Sequence, residues 1–357
     1  MMLEYFAERK KRIIECLYGF FSLKKDAFSS GNRWGEDSAL RLLEFTSRGK
    51  MIRGGLVLLC EEFFNPEPSG ESVKAAAALE IFQSGFLIHD DIMDGDLFRR
   101  GEKTINHQYS GLAADEDNGN PSRTGDALGI CVGDLAFFAG YDLLAAMNIE
   151  PAVMRKAVTL CSEEYYRVGL AQMNDVYLGG IKRAVTENEI LDIYRYKTAR
   201  YTFSLPMTLG AVLGGADESV ISGLDSFGEA LGVIFQIRDD ELGIFSTDGE
   251  LGKPVGSDIR ENKKTLYYIY IHEQLAMTAD KNTRQRVEKA FGNPEITEAQ
   301  LESVRQFVAE TGIKKRADDV IESYSRRAGE ILTTMELDTV SKDKLAMLLS
   351  YSLTRRM

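Results

Sequence analysis

Proline is scarce in this chain. There are seven in 357 residues, and none between Pro68 and Pro121, Pro151 and Pro206, or Pro206 and Pro254. Proline removes a backbone donor and clashes with the preceding turn. Its exclusion from stretches where apolar residues recur every three or four positions points to long helices. Period-two patterns are also rare, so extended sheet is not expected and the fold class reads as all-α. Positive charge is in deficit: 43 Lys and Arg face 55 Asp and Glu, a formal charge of −12. That balance argues against binding to nucleic acid or to an anionic membrane surface, and an anionic substrate would need local cations or metal ions. The four cysteines, Cys16, Cys60, Cys131 and Cys161, form no CxxC pair and no zinc-ligand spacing. Reduced thiols in a cytoplasmic protein are the expectation. No run of about 18 apolar residues occurs, so no membrane span is expected. Glu4, Glu8 and Glu15 also break the N-terminal apolar stretch that a targeting signal would need.

Hydrophobic residues make up 44% and charged residues 27%, an ordinary globular composition with material for a large core. Turn-rich breaks fall at 65–70, 112–126, 214–218 and 246–257, the second being the most loop-like. None reads as a linker between separate cores, so residues 1–357 are expected to form a single large helical domain.

Chemistry concentrates in two places. The segment ESVKAAAALEIFQSGFLIHDDIMD, residues 71–94, is opened by Pro68-Ser69-Gly70 and closed by Gly95, the signature of a capped helix. At about 100° per residue, Asp94 lies roughly 40° and Gln83 roughly 20° from Asp90 around the axis. Two carboxylates thus share one face, Asp91 stands beside them, and an apolar strip with Leu79 and Phe86 runs back beneath. Such a pair is ordinarily a solvated helix end. Here it opposes the helix dipole and is followed by Arg99 and Arg100. Carboxylates suit hard cations and guanidinium groups suit phosphate oxygens, so the combination reads as a site for Mg²⁺ and diphosphate. The second place, FQIRDDELGIF (235–245), sets Gln236, Asp239, Asp240 and Gly243 on one helical face. It is trailed by Lys253, Asp258, Lys263 and Lys264. Two acidic faces, each followed by basic residues, would make a clamp for a polyanion.

These residues resemble the trans-isoprenyl diphosphate synthases, the family that includes farnesyl and geranylgeranyl diphosphate synthases. DDIMD with the following RRG (90–101) and FQIRDD (235–240) are similar to its two aspartate-rich motifs. GKMIRGGL (49–56), LAQMND (170–175, with Ala171 in place of a glycine) and YKTARYTF (196–203) are similar to its GKxxR, GQxxD and KT elements, in family order. The resemblance implies an all-α isoprenoid synthase bundle around a central cavity, acting as a homodimer. It implies Mg²⁺ held by Asp90, Asp94 and Asp239, with Asp91 and Asp240 in support. The allylic diphosphate would be held by Arg99, Lys197, Thr198, Gln236, Lys253 and Lys263, and isopentenyl diphosphate by Lys50, Arg53, Gln83 and Arg100. Of these, Asp90, Asp94, Lys197, Asp239 and Lys263 would carry the chemistry. Gly243 departs from the pattern, standing where many members have a third aspartate.

The resemblance also implies a ruler on the helix below Asp90, where bulky residues in the family shorten the product and small ones lengthen it: Gly85 would open a channel that Phe86 partly closes, with Phe82 as floor. That arrangement leads to the expectation of twenty-carbon geranylgeranyl diphosphate, with farnesyl diphosphate as the alternative. Two other readings stay open, a class I terpene cyclase and a non-catalytic partner subunit. The GKMIR run and the lysines after the second cluster argue against the first. Retention of Asp90, Asp94, Arg99 and Arg100 argues against the second.

Overall fold

A computed structural model describes residues 2–181, 183–245 and 256–354. It is built from helices: α1 (Met2–Leu23), α2 (Lys25–Ser29), α3 (Trp34–Ser47), α4 (Ile52–Glu61), α5 (Gly70–Asp94), α6 (Ile105–Asp115), α7 (Pro121–Ala145), α8 (Pro151–Gly180) and α9 (Glu187–Ile193). A π-helix (Tyr194–Ser204) follows, then α10 (Leu205–Leu213), α11 (Glu218–Phe245), α12 (Ser257–Arg260), α13 (Leu266–Met277), α14 (Lys281–Glu288), α15 (Glu298–Glu310), α16 (Ile313–Thr334) and α17 (Thr339–Leu353). Among the described residues the only sheet is a hairpin of two-residue strands, β1 (Phe98–Arg99) and β2 (Glu102–Lys103). The fold is all-α, as the sequence predicts.

The chain's contacts divide into two compact units, Met1–Leu160 with Pro206–Asp217, and Cys161–Leu205 with Glu218–Met357. In the first, α5 is the central helix, and its Ala75 to Ala78, Leu79, Ile81 and Phe82 are wholly buried. Ser69 caps α5 by accepting the Ser72 N–H, and Gly95 ends it with φ +71°, both at the expected places. The stretch 112–126 is far more helical than its composition indicates. α6 runs to Asp115, and α7 starts at Pro121 with the Asn120 side chain as cap. Proline at the first helical position loses an amide that would have had no partner there.

In the second unit α11 is the core helix, with Val233, Ile234 and Ile237 fully buried in a cluster that includes Tyr267, Tyr270 and Val304. Gly228 and Gly232, one turn apart, let α11 approach the π-helix closely: a Cβ at 232 would stand 2.3 Å from Ala199 Cα. By length and composition α7 and α11 are long and apolar enough to cross a membrane. In α11, 67% of the apolar window is buried within the protein, the property of a core helix.

Candidate active site

The first acidic cluster closes α5. Asp90 and Asp94 are half-buried, and Asp91 is fully buried. Arg99 joins them: its Nε donates to Asp91 Oδ1 at 2.5 Å, with Asp96 Oδ2 at 3.5 Å and Asp90 Oδ2 at 3.8 Å from Nη2. Burial pulls the Arg99 guanidinium down, but Asp91 and then Asp90 outweigh it and hold the group above its ordinary value. Asp91 is thus placed to orient Arg99, while Asp90 and Asp94 keep accessible oxygens. His89, beside the cluster, packs its ring on α7 with Nε2 3.0 Å from the Ile130 carbonyl.

The hairpin separates the two arginines. Arg99 sits in β1, whereas Arg100 and Gly101 form the turn with φ of +55° and +79°, the requirement of a type I′ turn. A left-handed non-glycine residue costs roughly 1–2 kcal/mol. The turn sends the Arg100 guanidinium towards Phe45, 5.9 Å from its ring centre, and onto Gly49. It thereby lies against the residue before Lys50 and near Arg53, whose first-turn neighbour Gly54 donates to buried Glu80 Oε1 at 2.8 Å. Burial raises the Glu80 carboxyl above its usual range, opposed mainly by Arg53. Gln83, two α5 turns before Asp90, is buried with its amide oxygen lacking a partner among the described residues. A buried amide left in this state is suited to an incoming polar group.

The second cluster is a hydrogen-bonded chain. Thr198 Oγ1 donates to Gln236 Oε1 at 2.9 Å, and Gln236 Nε2 donates to Asp240 Oδ1 at 2.8 Å. The Tyr194 hydroxyl donates to Asp240 Oδ2 and accepts the Leu266 N–H at 2.9 Å. Asp240 is buried, and burial, then the charge of Asp258, pushes its carboxyl well above the usual range. Asp239, one residue earlier, is half-buried. Gly243, at the third-aspartate position, has Asp258 as its neighbour: a Cβ there would stand 3.1 Å from Asp258 Oδ2. A second carboxylate therefore reaches this place from α12.

Lys197 and Thr198 lie on the π-helix, a form that recurs at functional sites. Lys197 Nζ is 2.5 Å from Asp175 Oδ2, so the YKT and LAQMND elements meet. Arg200 fastens the π-helix to α8 and α11 through Glu164 (2.7 Å), Asp225 (2.9 Å) and Glu229 (3.1 Å). Lys263 pairs with Glu261 at 3.1 Å, and Lys253 lies outside the described residues.

Among the described residues no three His, Cys, Asp or Glu side chains converge as a ready metal cage. Each acidic face instead offers one or two accessible carboxylates. That suits Mg²⁺, which takes few protein oxygens and completes its shell with phosphate and water.

The polyprenyl synthetase family model matches residues 40–308, a span that includes both acidic clusters and every motif above. The chain belongs to this family. A short chain isoprenyl diphosphate synthase of Methanothermobacter thermautotrophicus is 30% identical over 311 residues, 87% of each chain. A geranylgeranyl diphosphate synthase of Saccharolobus solfataricus is 30% identical over 315 residues, 87% of this chain and 88% of that one. In fold, a Corynebacterium glutamicum geranylgeranyl pyrophosphate synthase complexed with isoprenyl diphosphate and magnesium superposes with TM-score 0.89. It is 24% identical, covering 98% of this chain and 99% of that one.

The structure corrects one expectation for this polyprenyl synthetase. Gly85 opens no channel on its own side, since a Cβ there would stand 3.0 Å from the Gly133 carbonyl and 3.1 Å from the Phe137 ring. Its role is close packing of α5 on α7. Phe86 meets Phe137 edge-on at 4.9 Å between ring centres, and fully buried Phe82 meets Tyr141 at 4.8 Å. The sequence reading also missed Tyr194 and Phe137, which lack any motif of their own. Each meets its partner across two different helices, Tyr194 to Asp240 and Phe137 to Phe86, and no spacing within one helix reveals that.

Proposed function

We propose that this protein is a Mg²⁺-dependent prenyltransferase that condenses an allylic prenyl diphosphate with isopentenyl diphosphate to a medium-chain all-trans product, twenty-carbon geranylgeranyl diphosphate. The observation that carries the reading is that half-buried Asp90 and Asp94 close α5 beside Arg99 and half-buried Asp239 stands on α11 within the FQIRDD motif, in a chain whose net charge is −12. Asp90, Asp94 and Asp239 would hold Mg²⁺, with Asp258 in the place of the aspartate that Gly243 replaces. When bound, Mg²⁺ neutralises the diphosphate and eases its departure. Arg99, Lys197, Thr198, Gln236, Lys253 and Lys263 bind the allylic diphosphate and stabilise its charge as the C–O bond breaks. Asp91 and Asp240 orient Arg99 and Gln236. Lys50, Arg53, Gln83 and Arg100 hold isopentenyl diphosphate so that its double bond attacks the allylic carbon; loss of a proton then restores an alkene. The apolar strip beneath Asp90 excludes water from the cation.

Archaeal relatives with geranylgeranyl names support the twenty-carbon product. The Phe86–Phe137 contact and the filled space at Gly85 favour a second reading, fifteen-carbon farnesyl diphosphate. We further propose a cytoplasmic homodimer without membrane insertion. The solvent-facing apolar stripe of α7, Ile130, Leu135 and Phe138, supports an assembly that covers it. The test is chromatography of labelled products from each allylic starter plus isopentenyl diphosphate with Mg²⁺. Linear diphosphates are expected; hydrocarbons would indicate a cyclase, and no product a non-catalytic subunit.

A further inference from the structure

Lys10 lies on α1, ahead of the residues 40–308 that the family model matches. Its ammonium donates to the Gly49 carbonyl at 2.7 Å. The Arg100 guanidinium packs on the same glycine: a Cβ at 49 would stand 3.1 Å from Nη1 and 3.6 Å from Nη2. Two cations from distant parts of the chain thus converge on the residue before Lys50. The carboxylate they share is Glu80, buried and already engaged by the Gly54 N–H. Burial, then Arg100, holds the Lys10 ammonium below its ordinary value.

Like charges gathered around one engaged carboxylate repel, and an arriving anion turns that repulsion into attraction. An ammonium has three N–H donors, and among the described residues only the one on Gly49 is used. We propose that Lys10 is a further cation of the pocket that receives the diphosphate of isopentenyl diphosphate, supplying charge and holding the Gly49 carbonyl that precedes Lys50. This rests on the assignment of Lys50, Arg53, Gln83 and Arg100 to that substrate. The contact also steadies a strained turn, since Met51, two residues on, has φ +53°.

The test uses the full-length enzyme with Mg²⁺ and the variants Lys10→Gln and Lys10→Arg. Glutamine can still donate to Gly49 but carries no charge. KM for isopentenyl diphosphate is measured at saturating allylic substrate, KM for the allylic substrate in the reverse arrangement, and isopentenyl diphosphate binding by calorimetry. Lys10→Gln should raise the first KM and weaken binding by about fivefold or more. The allylic KM, kcat and melting temperature should stay put, and Lys10→Arg should recover most of the loss. A Lys10→Gln enzyme equal to wild type overturns the proposal, as do equal rises in both KM values or a loss that arginine does not rescue. If wild-type enzyme makes no product from isopentenyl diphosphate, the functional reading fails and this inference falls with it. If wild-type condenses both substrates and Lys10→Gln matches it, Lys10 alone is removed.

Discussion

Replacing Tyr194 by Phe deletes one oxygen from the middle of the second acidic cluster, and the loss follows from its two bonds. The hydroxyl donates to Asp240 and accepts the Leu266 N–H at 2.9 Å, with Tyr194 and Asp240 both buried. Phenylalanine fills the same volume but leaves the amide and the carboxyl unmet. A hydrogen bond contributes about 0.5–1.5 kcal/mol, and an orphaned buried amide costs about 1–3 kcal/mol. Dropping a buried hydroxyl offsets part of this, so the net destabilisation should be about 1–3 kcal/mol. Urea unfolding in EDTA, followed by circular dichroism, measures it, with Asp240→Asn and the double variant completing a cycle. Coupling between the two positions should exceed about 1 kcal/mol. The pH dependence has a defined sign. Asp240 is held above the usual range by burial and then by Asp258. Its contribution is therefore fully present below the unfolded carboxyl range, near about 4, and lost as pH rises through the raised value. Wild-type stability relative to Asp240→Asn should fall as pH increases. A Tyr194→Phe cost under about 0.5 kcal/mol, or strict additivity with Asp240→Asn, would refute the reasoning.

Asp90→Ala and Asp94→Ala should nearly abolish turnover while melting temperature holds or rises, because each removes a carboxylate from a helix C-terminus; near-normal turnover in both would sink the metal assignment. Lys50→Ala and Arg53→Ala should raise KM for isopentenyl diphosphate about tenfold or more and spare the allylic KM, as steady-state kinetics with each substrate varied would reveal. Phe86→Ala should lengthen the product on reversed-phase chromatography. Gly85→Phe should destabilise by about 1–3 kcal/mol or more in thermal melts, since its Cβ would stand 3.0 Å from the Gly133 carbonyl.

The long helices were legible because proline exclusion and apolar spacing act locally, within one or two turns. Ser69 and Gly95 marked the ends of α5 for the same reason: caps are chosen by the backbone beside them. The hairpin 98–103 was not legible, because two-residue strands leave no periodicity. Nor was the π-helix, whose altered hydrogen bonding comes with packing on Gly228 and Gly232 of α11.

The sequence by itself determined the helical class, the two acidic faces and the order of the motifs, all properties of residue type and spacing. Tertiary structure alone decided what each member of an aspartate pair does. Adjacent residues project about 100° apart on a helix, so one of each pair must turn towards neighbouring elements. Asp91 turns to Arg99 and Asp240 to Tyr194 and Gln236, while Asp90 and Asp239 stay half-buried and accessible. It also decided that Gly85 is a packing surface and that Lys10 meets Arg100 at Gly49. Contacts between residues 39 and 51 positions apart depend on how helices cross, which no local pattern encodes.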